Sequence, residues 1–318
     1  MLAFLIRRTI GALLVMLAVT FIVFIIFIIV PGGGKLGTAQ RIAGKNATPQ
    51  LVKSVEKRWG FDQPFYVQYA KMVKRMFTNH LVSYTSQQPV LSQIKQGIPA
   101  TFSLTIGAGV IWLAFGILVG VISAVTAGRL SDRAITVLAL IGVSMPVFWL
   151  GIILRYFLAE RNSWFPDGGY VPLTKDPAQW AYHLILPWFC LAILFIGFYG
   201  RVLRGNILDT INDDYVRTAR AKGISPRRVL IKHVLRNSLI PIVTLFGLDF
   251  AAVLGGGAIL TEKVYDLHGI GWYAALAVDQ LDLPPLIGVT LFGALFIVVF
   301  STFVDLFYAV LDPRIRPT

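Results

Sequence analysis

The side chains able to support covalent or metal chemistry are few and scattered along the chain. Four histidines (His80, His183, His233 and His268) fall in different segments, and no His-Glu-x-x-His pattern occurs, so a metal centre has no sequence support. Cys190, the sole cysteine, lies within an apolar run, leaves no intramolecular disulfide to form and reads as a packing residue. "GKL" at Gly34 and "GKN" at Gly44 lack the Ser or Thr that must follow the lysine of a phosphate-binding loop, so ATP hydrolysis by that route is excluded. Nothing in the spacing argues for a nucleophile beside a base, and neither a catalytic residue nor a resident cofactor is expected.

What remains is a small set of groups inside apolar runs. Asp249 lies near the middle of one run and Asp305 near the end of another. An aspartate facing lipid at mid-membrane costs about 2.5 to 3.5 kcal/mol. Asp249 is therefore expected either to border a water-filled translocation path or to pair with a Ser, Thr or Arg of a neighbouring helix, and sequence leaves both open. For Asp305 the expectation is that it reaches the interface or pairs with a nearby Arg. Met145-Pro146 in "GVSMPVFWLG" and Gly256 in the Gly255-Gly256-Gly257 run are the backbone counterparts: they loosen helices beside a path, or mark a simple kink and close packing.

The elements carrying these residues are membrane helices. The 318 residues are 56% hydrophobic and 14% charged, with a mean hydropathy of +0.71, beyond what a soluble core needs. A net charge of +13 might be matched to nucleic acid, but the basic residues flank apolar spans instead of forming one polar face, and nucleic-acid binding is not expected. Thr9 to Val30 is long enough to cross the bilayer and exceeds a signal-peptide core, so it reads as a retained anchor. Five further runs follow: Ile98 to Gly128, Ala134 to Leu154, Trp180 to Gly200, Ser238 to Leu260 and Leu283 to Val310. The fold class is therefore an all-α integral membrane protein with six transmembrane helices.

Charge orients the spans. The N-terminal tail, Arg129 to Arg133, Arg201 to Arg236 and the C-terminal tail hold 15 Lys and Arg, against four (Arg155, Arg161, Lys175, Lys263) in the short opposite loops. Both termini are thus expected in the cytoplasm, in a multi-pass membrane protein. Pro31 to Gly97 holds ten Lys and Arg yet falls outside; segments beyond about 60 residues translocate largely regardless of charge. Within it, Thr48-Pro49 reads as a helix start and Gly60 as a stop, while Phe65, Tyr69, Met72, Val73 and Met76 recur at helical spacing, predicting two short amphipathic helices. They form a gate, a docking surface or a cap over the bundle. Asn46-Ala47-Thr48 matches a glycosylation acceptor pattern, too short and common to carry weight. The expected organisation is 1–30 as the first span, 31–97 as an extracytoplasmic helical segment, 98–310 as a five-helix transmembrane domain with a cytoplasmic loop at 201–237, and 311–318 as a cytoplasmic tail.

The strongest local signal lies in that loop, "DDYVRTARAKGISPRRVLIKHVLRNSLIPIV" from Asp213 to Val243. Acidic residues at its start and Arg220 and Lys222 near position 222 suit a short helix. Gly223 permits the left-handed turn that stops it, and Ser225 and Pro226 restart a second helix with an apolar stripe at Leu230, Ile231, Val234 and Leu235. Tyr215, Val216 and Ala219 give the first helix a mostly apolar edge, and Thr218, Ala219 and Ala221 are small enough to admit another backbone. Docking into a partner's groove and binding to anionic lipid are equally open from the residues alone.

This stretch resembles the cytoplasmic coupling loop of ABC-importer permeases, most closely the first-permease subunits of oligopeptide and dipeptide importers. The likeness runs through "WGFDQPFYVQYAKMV" at Trp59, "DRAITVLALIGVSMPVFWLGI" at Asp132, "GGGAILTEKVYDLHGIG" at Gly255 and "VDLFYAVLDPRIR" at Val304. Aligned on Gly223, the family's Glu-Ala-Ala-x-x-x-Gly signature falls on Arg217, Thr218 and Ala219, the "RTARAKG" form similar to the peptide branch. "PGGGK" after the first span and "HGIG" at His268 depart from the usual Pro-Gly-Asp-Pro and from the common Pro at the His position. The resemblance implies the type I importer fold, with Asp214, Tyr215, Val216, Arg217, Thr218, Ala219, Arg220, Ala221, Lys222 and Gly223 meeting an ATPase. It also implies a second homologous permease, two P-loop ATPases carrying ATP and Mg, an extracytoplasmic substrate-binding protein and a peptide substrate. Nickel chelates or other small solutes are the same-family alternative, and an autonomous ion-coupled carrier the alternative of another class.

Overall fold

A computed structural model describes residues 2–26, 39–40, 43 and 47–311. "PGGGK", Asn46 and the tail at 312–318 lie outside the described residues, as does the side chain of Asp305. The described residues are helical, with a lone antiparallel bridge between Val82 and Pro89.

The first span, α1 (Leu2–Phe24), is followed by α2 (Pro49–Trp59) and α3 (Phe65–Phe77). Thr48 caps α2 by accepting from the Leu51 N–H at 3.4 Å, Pro49 opens it, and Gly60 closes it at φ 77°. Tyr69 of α3 packs edge-on against Phe21 and Phe24 of α1, and its hydroxyl lies 2.7 Å from Thr20 Oγ1, so α3 rests on the first span.

Two long helices form the centre: α4 (Val90–Val125) and α7 (Pro177–Thr210) make the most extensive pair in the molecule. Both outrun the expected spans, α4 starting at Val90 and α7 continuing past Gly200 into the cytoplasmic segment. Water-to-lipid hydropathy marks where a span is apolar, not where its hydrogen-bond ladder stops. Their approach is close because Gly116 meets Tyr199 and Gly120 meets Leu203, where a Cβ would collide. Buried Trp112 of α4 stacks on Phe195 of α7, with centroids 4.5 Å apart.

Between them, α5 (Leu130–Ser144) and α6 (Val147–Leu154) share the third apolar run, which the sequence predicted as one span with a kink at Pro146. The observed bend is 100°. Pro146 removes an N–H and its ring excludes helical backbone at the preceding residue, and Met145 accordingly sits extended at ψ 130°. After α7 come the loop helices α8 (Asp214–Ala221) and α9 (Pro226–Val229), then α10 (Ile240–Ala252), α11 (Ile259–Val264), α12 (Ile270–Asp279) and α13 (Leu283–Leu311). Among the described residues four helices are long and apolar enough to cross a membrane, five if the bent pair is one span, and Thr9–Phe24 is a shorter apolar helix.

Candidate functional site: the cytoplasmic unit and the groups within the bundle

The loop folds as its local signals require. α8 runs from Asp214 to Ala221, Gly223 takes φ 75°, and Pro226 is the first residue of α9 after Ser225. The helical path then widens into a π turn over Leu230–Leu235 before Arg236–Ser238. What the sequence missed is which side of α8 faces inward. Val216 is fully buried and Ala219 nearly so, packed into the main core cluster with Ile207, Val229 and Val234. Val216 and Ala219 thus seat α8 on its own chain, while Tyr215 of the same apolar edge stays exposed. An eight-residue helix has one apolar stripe, and the nearest hydrophobic surface takes it.

The surface left to a partner consists of Asp214, Arg217, Thr218, Arg220, Ala221, Lys222 and Gly223, with Tyr215 at its rim. Arg217 lies 3.7 Å from Asp214 in an exposed pair, worth little by itself. Polar clasps make the unit rigid. Asn237 Nδ2 donates to the Tyr215 hydroxyl at 2.7 Å, and that hydroxyl donates to the His233 carbonyl at 3.3 Å. Buried Ser238 lies within hydrogen-bond distance of Thr210 Oγ1 and the carbonyls of Asn206 and Val234. α8 is therefore fastened to the 233–238 stretch that leads into α10, and that stretch to the end of α7.

One turn above, Asp132 joins the α4–α5 turn to α7. Arg204 donates through Nε and Nη2, both at 2.8 Å, while the Ser123 hydroxyl and Gly128 N–H supply further donors. These bonds, Arg204's foremost, hold the Asp132 carboxyl well below the usual carboxylate range. Sequence reasoning passed over Asp132, whose only local signal is an acid just after a short basic turn.

The four bundle residues occupy separate places. Met145 and Pro146 form the break between α5 and α6. Asp249, on α10, accepts from the Tyr199 hydroxyl of α7 at 2.7 Å, a partner outside the Ser, Thr and Arg considered from sequence. Gly256 has φ 140°, which only glycine adopts freely, and turns the chain inside a π stretch over Val253–Gly257. The close approach belongs to its neighbour: a Cβ on Gly293 of α13 would run into the Gly255 carbonyl. Met145 and Pro146 share no described hydrogen bond or ring contact with Asp249.

Two buried acids outside the spans were also missed. Glu262, fully buried on α11, accepts from Thr101 Oγ1 at 2.7 Å and from the N–H groups of Trp272, at 2.9 Å, and Gly271. Burial pushes its pKa up to about 7 against those bonds. Asp282 accepts from Ser83 Oγ and the N–H groups of Tyr84 and Thr85, pinning the external segment to the α12–α13 junction. Cys190 is buried, as a packing residue should be. Among the described residues no group of His, Cys, Asp or Glu is arranged to hold a metal.

The described residues form an all-helical, glycine-packed bundle of apolar spans with a fastened helix pair at one end, the architecture of an integral membrane protein. A family model described as binding-protein-dependent transport system inner membrane component matches residues 116–317, and its N-terminal companion matches residues 1–105. The chain belongs to this family, whose architecture is the type I ABC permease fold. It is similar to a peptide transport system permease protein of Brucella abortus, 36% identical over 317 residues and covering 99% of each chain. The dipeptide transport system permease protein of Alkalihalophilus pseudofirmus is 33% identical over 337 residues, 99% of this chain and 100% of the relative. The oligopeptide transport system permease protein of Bacillus subtilis is 34% identical over 322 residues, with the same coverage.

Proposed function

We propose that this chain is one of two permease subunits of an ABC importer, forming with a homologous partner the pathway for ATP-driven uptake of peptides. The observation that carries the reading is the fastened cytoplasmic unit. α8 is tied through Tyr215 to His233 and Asn237, and that 233–238 stretch, which leads into α10, is tied through Ser238 to Asn206 and Thr210 of α7. Two P-loop ATPases holding ATP and Mg meet the exposed face of α8 in the cytoplasm, and their closure displaces this lever, swinging the bundle between inward-open and outward-open states. An extracytoplasmic binding protein delivers the peptide on the side of α2 and α3. Both termini lie in the cytoplasm, as the distribution of Lys and Arg supports. Three full-length relatives with peptide, dipeptide and oligopeptide names support peptides over nickel chelates.

The test is reconstitution. The chain should co-purify with a second permease and two ATPases, and peptide-loaded binding protein should stimulate ATP hydrolysis by the complex. Transport by the isolated chain in liposomes without ATP would refute the reading.

A further inference from the structure

The apolar windows of the described spans contain one acid at mid-depth, Asp249. Its Oδ2 accepts from Tyr199, and its Oδ1 is neither buried nor hydrogen-bonded among the described residues. The residues flanking it on α10, Leu248 and Ala252, are exposed on the single chain, so Asp249 lies at the edge of the open side of this helix. A carboxylate half-satisfied at that depth does not face hydrocarbon; it faces water, a subunit or a cation that passes. Tyr199 fixes its orientation rigidly, because the tyrosine is fully buried and packed edge-on against Phe195 and Phe198. The tyrosine thus holds one oxygen while the other is presented.

We infer that Asp249 is a binding group for the substrate's primary ammonium during translocation, with Tyr199 as its positioning residue. This rests on the peptide-import reading, because a peptide with a free N-terminus carries the cation concerned. An ammonium donates up to three hydrogen bonds, and a charge-assisted bond to Oδ1 supplies the partner that this oxygen lacks. The contact is with a single open oxygen, so the group discriminates charge at the N-terminus without reading side chains.

The experiment uses the full complex in liposomes and two peptides of one sequence, with free and N-acetylated N-termini, at matched occupancy of the binding protein. Asp249→Asn keeps an oxygen for Tyr199 and so preserves the fold. It should lower uptake of the free peptide by about tenfold while leaving the acetylated one unchanged, so that their ratio approaches one. Tyr199→Phe should shift the same ratio part of the way. Equal loss for both peptides, or no change for either, would overturn the inference alone. Loss of co-purification with the second permease would assign Asp249 to a subunit contact and also overturn it. Failure of both peptides to enter through the unsubstituted complex would overturn the peptide reading and this inference with it.

Discussion

Glu262 should make the stability of this permease fall as pH rises through neutrality. The carboxyl is fully buried between α11, the start of α12 and Thr101 of α4, and its value in the folded chain is about 7 against an ordinary 4.5. Folded protein therefore binds this proton more tightly than unfolded protein does, and unfolding releases it. Stability from the protonated form is complete below about pH 4.5 and is lost progressively up to about pH 7, beyond which the loss is constant. At about 1.4 kcal/mol per unit, the interval amounts to about 3 kcal/mol. The assay is thermal unfolding in detergent from pH 4.5 to 8, by tryptophan fluorescence, for the unsubstituted chain and Glu262→Gln. The difference between the two curves is the quantity to read, because every other group contributes to both. Glutamine accepts from the Trp272 and Gly271 N–H groups but cannot ionise, so its curve should lack the Glu262 component. Parallel curves, or an unsubstituted chain that gains stability relative to Glu262→Gln as pH rises, would refute the burial argument.

Other perturbations test the packing and the cytoplasmic unit. Gly293→Ala should cost about 1 to 3 kcal/mol in thermal stability, because its methyl group meets the Gly255 backbone and no rotamer relieves it. Gly223→Ala should cost about 1 to 2 kcal/mol through φ 75° alone, since nothing lies within 4 Å of the new carbon. Ala221→Trp, on the exposed face of α8, should leave unfolding within about 0.5 kcal/mol yet reduce peptide-stimulated ATP hydrolysis, whereas Ala219→Asp buries a charge and should impair folding itself. Asp282→Ala leaves three donors without their acceptor and should speed limited proteolysis at Ser83 to Ser86.

Legibility from sequence followed the range of the forces involved. The α8 stop at Gly223 and restart at Pro226 were readable because φ preferences and caps act within three or four residues. The same holds for Thr48, Pro49 and Gly60 around α2. The inward turn of Val216 and Ala219 was not readable, since a stripe announces burial without saying against what. Asp132 with Arg204, Ser83 with Asp282 and Asp249 with Tyr199 are separated by 72, 199 and 50 residues, and no periodicity links such distances. Pro146 was visible as a disturbance, but its 100° consequence depends on how α5 and α6 each pack against α7.

The meeting of Gly293 with Gly255 has a mechanical meaning. Where side chains interlock, two helices move past each other only by exchanging rotamers, and motion proceeds in discrete jumps. At this crossing no side chain stands between the backbones, and directly beside it Gly256 takes a conformation other residues resist. At such a junction the spacing between α13 and the end of the fifth span is set by main-chain atoms alone, so any side chain added there must push the two apart. Gly255 thus acts as a fixed spacer in the chain between Asp249, which meets Tyr199, and Glu262, which meets Thr101.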